Sequence, residues 1–70
     1  MNLTDAMIGR EYVINSIRTE DEELNTFLFS LGCYEGERIT VVRKLRGVIL
    51  ITLKQAKYAI DTHLARAIKI

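Results

Sequence analysis

Leu24–Gly36 reads LNTFLFSLGCYEG. Leu24, Phe27, Leu28 and Leu31 stand at i, i+3, i+4 and i+7, the spacing that aligns one apolar stripe along an α-helix. Gly32 follows the last of them, where a left-handed residue ends a helix, since glycine reaches positive φ without a Cβ clash. Upstream, Thr19 and Glu22 have the spacing of a capping box, in which a hydroxyl and a carboxylate satisfy first-turn N–H groups reciprocally. The acids of residues 20–23 then fall where the positive end of the helix dipole favours them. The pattern predicts a helix over residues 20–31 and gives the acidic run a structural role.

Almost everything outside that helix reads as strand. Leu3, Ala6 and Ile8 precede Gly9 in a short apolar opening that must dock somewhere. Residues 10–17 are rich in β-branched and aromatic types, with Tyr12 and Ile14 on one face at period two. Ile17 breaks that parity, so a bulge or bend is expected near Asn15 and Ser16. Beyond Gly36, residues 38–45 alternate as a strand with its first half over the core, and Arg46–Gly47 reverses the chain. Residues 48–53 form a nearly continuous apolar run, a central strand with Ile49, Ile51 and Leu53 on one side. Lys54 and Gln55 turn the chain into a fourth strand over residues 56–60. Asp61 can cap one helical turn through Leu64 and Ala65, and residues 66–70 close the sheet. The expected fold is mainly β, a small SH3-like barrel of about five strands with one helix inserted after the first strand. An α+β roll with the same strands unclosed is the alternative.

Seventy residues make one domain, 1–70, in which a single core must be efficiently packed to be stable. Cys33 is the only cysteine, so no intrachain disulfide staples it, which fits a reducing compartment. No apolar run reaches the roughly 20 residues that span a bilayer, and a cytoplasmic location without membrane insertion is expected. Ten Lys and Arg against nine Asp and Glu give no electrostatic reason to expect nucleic acid as a partner. Arg43, Lys44 and Arg46 form one basic run, read as a solvated face.

Three groups of residues resemble the FeoA family of small proteins that accompany a ferrous iron transporter, and the related terminal domain of some metal-dependent repressors. Leu3, Ala6, Gly9, Tyr12, Ile14 and Ile17 are similar to the family's opening. Leu28, Leu31, Gly32, Gly36 and Ile39 are similar to its centre, and Ala59, Ile60, Asp61, Leu64, Ala65, Ile68 and Ile70 to its end. Cys33, Tyr34 and Glu35 depart from it, occupying an interval where the family's turn carries an apolar residue and then Pro-Gly. Met7 and Ile8 stand where the family favours polar residues or proline. Glycines and aliphatics of this kind identify a fold before an activity. The resemblance implies an accessory protein of ferrous iron uptake, docking on the cytosolic G-protein domain of the membrane iron transporter and modulating it. The alternative it allows is an SH3-like regulatory or co-repressor module that binds a peptide or transcription factor.

The family's setting raises transition metal ion binding, but Cys33 and His63 are solitary, with no C-x-x-C, H-x-x-H or E-x-x-H spacing to prearrange ligands. No metal site and no cofactor is expected. Asp61 and His63 lack a serine nucleophile in a recognisable elbow, and Gly32 with Gly36 lacks the Lys-Ser/Thr ending of a phosphate loop. An enzyme is therefore not expected. The candidate partner-contact residues are Phe29, which lies off the helix stripe, Tyr34 in the turn, and Met7 and Ile8 beside the first glycine. Partly exposed aromatic and Met side chains are what protein interfaces favour.

Overall fold

The computed structural model describes residues 1–70. A single 3-10 turn, Leu3–Asp5, opens the chain. There follow β1 (Glu11–Val13), β2 (Ser16–Ile17), α1 (Glu22–Ser30), β3 (Arg38–Leu45), β4 (Val48–Leu53), β5 (Ala56–Asp61), α2 (Thr62–Ala67) and β6 (Ile68–Lys69). Four strands pair antiparallel in the order β1-β3-β4-β5, and β2 pairs antiparallel with β6 in a second, two-stranded sheet. The expected first strand is thus one bent strand shared between two sheets. It leaves the large sheet at Ile14, whose N–H donates to the Glu37 carbonyl, and enters the small one at Asn15, whose N–H donates to the Lys69 carbonyl. Bending one strand across two sheets makes the corner of a half-open barrel, the mainly β, SH3-like architecture that the alternation predicts.

Side-chain alternation places the core. Along β4, Ile49, Ile51 and Leu53 are buried and the residues between them half-buried, and on β3 only Ile39 and Val41 are buried. The register slips between Val41 and Arg43, leaving Val42 as a bulge. That extra residue reverses the parity of the outer half of β3. Lys44 comes to lie opposite Ile49, and its ammonium reaches the Thr4 carbonyl at 2.9 Å. Leu3, Ala6, Ile14, Leu28, Ile39, Ile51, Leu64, Ala65 and Ile68 are among fourteen buried apolar residues in one cluster, so the core joins both sheets and all three helical pieces. No buried side-chain polar atom lacks a partner.

Two expectations for α1 are corrected. The cap is Asp21, not Thr19: the Asp21 carboxylate accepts from the N–H groups of Glu23 and Leu24, while the Thr19 hydroxyl accepts from Asp21. The helix accordingly starts at Glu22 and ends at Ser30. The stripe is also narrower than its spacing implies, because Leu28 alone is fully buried and Phe27 is 50% exposed. At the other end of the chain, the turn expected after Asp61 lengthens into α2, capped by Asp61 through the Leu64 N–H at 2.6 Å, which leaves β6 only two residues.

Candidate functional site

The C-terminal end of α1 is built by one hydrogen-bond pattern. Gly32, at φ +87°, lets its N–H reach the Phe29 carbonyl at 3.0 Å, and the Cys33 N–H returns to Leu28 at 2.8 Å. These two bonds make a Schellman motif, whose usual apolar contact joins the residue two past the cap to the last helical turn. Cys33 and Leu28 hold those two positions, and both are buried. Burial pushes the Cys33 thiol up to about 11, since a thiolate there would be desolvated. At neutral pH Cys33 is a small apolar side chain, poor as a nucleophile or a metal ligand.

Phe29 and Tyr34 meet on the outer side of this turn. Their ring centroids are 5.0 Å apart with the planes tilted by 35°, a favourable aromatic arrangement. Phe29 is nevertheless 67% exposed. Beneath the pair runs a shallow groove of about 240 Å³ with Ile17, Leu28 and Cys33 along it and Asn25 and Glu35 at its rim. Lys54 fixes Tyr34 from the far side. Its ammonium donates to the Tyr34 hydroxyl at 2.8 Å, sits 5.0 Å from the ring centroid, and pairs with Glu37 at 3.6 Å. The hydrogen bond to Tyr34, with the Glu37 carboxylate assisting, holds the Lys54 pKa above its ordinary value. The Lys54 stem lies over Gly32, so close that a Cβ there would stand 3.0 Å from Cδ.

Met7 and Ile8 occupy a different place. Their turn is pinned by the Gly9 N–H to the Val41 carbonyl and the Met7 N–H to the Tyr12 hydroxyl, which keeps both side chains out of the core at 64% and 58% exposure. That turn leads into the start of β1, whereas Gly36, two residues after Tyr34, bonds through its N–H to the carbonyl of Ile14 at the strand's far end. Phe29 and Tyr34 therefore form one site and Met7 with Ile8 another. Sequence reasoning missed Lys54 and Glu37 as the supports of Tyr34. Nothing local marks Lys54, whose role depends on the β4–β5 hairpin folding back over Gly32.

No group of three or more His, Cys, Asp or Glu residues is placed to hold a metal ion. Cys33 is in the core, while His63 is exposed on α2. A second cavity, about 400 Å³, has polar walls that include Glu11, Arg38, Thr40 and Thr52, with Glu11 and Arg38 paired at 3.5 Å. None of its lining residues is hydrophobic. No helix is long and apolar enough to cross a membrane.

The family model of the FeoA domain matches residues 1–70. No curated protein matches the chain in sequence. Among solved structures, a manganese-dependent transcriptional repressor superposes at a TM-score of 0.87 with 20% identity, over 97% of this chain and 39% of that one. Stenotrophomonas maltophilia FeoA complexed with zinc, described as a prokaryotic SH3 domain protein, superposes at 0.83 with 19% identity, over 97% of this chain and 86% of that one. An iron uptake regulatory protein (FeoA) superposes at 0.83 with 24% identity, over 96% and 88%. The chain thus spans about two-fifths of the repressor and nearly all of the two FeoA proteins, and at these identities the likeness is one of fold.

Proposed function

The chain belongs to the FeoA domain family, and on that premise we propose that it is a cytosolic accessory protein of ferrous iron uptake, docking on the cytosolic G-protein domain of a membrane iron transporter and modulating it. It acts by contact, with no chemistry of its own. The observation that carries this reading is the Phe29–Tyr34 pair, held exposed over an apolar groove by a buried Schellman turn and by Lys54. Rigid, partly exposed aromatics beside a small pocket are the usual anchors of a protein interface. Met7 and Ile8 supply a second, separate contact on a pinned turn.

Titration of the transporter's cytosolic domain against the protein, by calorimetry with and without guanine nucleotide, tests the proposal. Saturable binding weakened about tenfold by Phe29→Ala or Tyr34→Ala supports it. The absence of binding under every nucleotide condition refutes it. A regulatory module that binds a peptide or transcription factor is the second reading, favoured by the likeness to part of a manganese-dependent repressor. It predicts that the same groove binds a segment of a regulator and ignores the transporter domain.

A further inference from the structure

Charge is divided within this fold far more sharply than its net value of +1 suggests. Between Arg18 and Arg38, the segment that builds α1 and its terminal turn, stand Glu20, Asp21, Glu22, Glu23, Glu35 and Glu37, with no Lys, Arg or His. The other three carboxylates and all ten Lys and Arg lie outside that segment. Within it, Asp21 is committed to the cap and Glu37 is paired with Lys54. Glu20, Glu22, Glu23 and Glu35 are exposed and make no ion pair, so their field is not neutralised locally.

Of these carboxylates Glu35 lines the groove, and helical geometry puts Glu22 on the face of α1 that borders it. Glu22, Asn25 and Phe29 follow at three and four residues, one face of α1 by helical geometry, and Asn25 and Phe29 line the groove. Glu35 lines the groove beside Tyr34, and Lys54, which reaches the Tyr34 hydroxyl, is already engaged by Tyr34 and Glu37. At about 240 Å³ the groove is smaller than the roughly 300–1,000 Å³ typical of small-molecule sites. It suits one or two side chains, and Glu35, with no cation among the lining residues, disfavours phosphate or carboxylate ligands.

We propose that this groove receives a cationic segment of a protein partner, anchored by one or two Leu-, Phe- or Met-type side chains beside Phe29 and Tyr34, with flanking Lys or Arg facing Glu22 and Glu35. The inference rests on the docking reading and adds the chemistry of the segment that docks. Complementary charge of this kind sets the association rate and the register more than the raw affinity, and salt screens it.

The test uses the intact protein and two synthetic peptides, one of Leu and Lys at helical spacing and one with Glu replacing every Lys. The Lys peptide is expected to shift the amide resonances of Asn25, Phe29, Tyr34 and Glu35. Its affinity should fall about tenfold on Phe29→Ala, fall further on combining Glu22→Lys with Glu35→Lys, and decline as salt rises. The inference is overturned if the Glu peptide binds as well, if neither binds, or if Phe29→Ala leaves binding intact so that only diffuse charge attraction operates. A transporter domain that binds without sensitivity to salt or to Glu35→Lys also overturns it while leaving the docking reading standing. Failure of that domain to bind, with capture of the Lys peptide at Phe29, defeats the transporter domain as the partner and supports only the groove's preference for a cationic segment.

Discussion

Gly32→Ala tests the turn on which both the helix end and the aromatic pair depend. The residue sits at φ +87°, where an alanine Cβ meets the chain's own carbonyl at a cost of roughly 1–2 kcal/mol. The added Cβ would also stand 3.0 Å from Lys54 Cδ and 3.1 Å from Cε. Lys54 is an exposed, unbranched side chain, so its stem has room to move aside and its bond to the Tyr34 hydroxyl is the casualty. A chain of this length has a total stability of about 4–10 kcal/mol, and each kcal/mol moves Tm by about 4–8 °C. The variant should therefore melt roughly 5–15 °C lower, with a matching loss in urea titration. Gly32→Asn places the same Cβ against Lys54 but tolerates left-handed φ, so it should cost clearly less than alanine. An alanine cost below about 0.3 kcal/mol, against the roughly 1–2 expected of a left-handed residue, would refute the Schellman termination of α1.

Other expectations follow from the same geometry. Asp21→Ala should cost about 1 kcal/mol in chemical denaturation and Thr19→Ala only a few tenths, because the first carries the cap; the reverse order would restore Thr19 to that role. Cys33 has its thiol raised from about 9 to about 11 in the fold, so the unfolded chain loses its proton first as pH rises. The stability this group contributes is fully present below pH 9 and falls by about 1.4 kcal/mol per pH unit between 9 and 11, a slope that Cys33→Ala should remove; identical slopes in the two proteins would contradict it. Lys54 and Gln55 are non-glycine residues at φ +50° and +70° in a two-residue hairpin loop. Gln55→Gly should accordingly raise stability by up to about 1 kcal/mol, and a lower Tm would count against this turn. Finally, α1 is tied to the core by one fully buried side chain, so its amides should exchange with deuterium faster than those of β4.

Much of this architecture was legible in the sequence where burial is enforced by alternation. β3 and β4 have the limits that their patterns predict, since in β4 every second residue, Ile49, Ile51 and Leu53, must enter the core. The start of α1 was not, because four successive acids suit a first turn equally well and only tertiary placement chooses Asp21 as the cap. Helical spacing reported the stripe but not its width, so Phe27 reads as core and stands half in solvent. The Val42 bulge has no local signal, as valine is equally at home in a regular ladder. At the site, Phe29 was recognisable because it falls off the stripe, and Tyr34 because it falls in a turn. Their meeting comes from the turn between them, whereas the Lys54 that holds Tyr34 stands on a hairpin twenty residues later in the chain, which no periodicity encodes.

Docking through the aromatic groove at the end of α1 remains the proposal on which the functional reading turns. The most direct measurement is an amide-resolved NMR titration of the isotope-labelled protein with the transporter's unlabelled cytosolic domain. Saturable shifts or broadening are expected, centred on Asn25, Phe29, Cys33, Tyr34 and Glu35 and abolished by Phe29→Ala with the fold intact. Perturbation confined to the basic β3–β4 hairpin around Arg43 and Arg46, with Phe29 and Tyr34 silent, would contradict it.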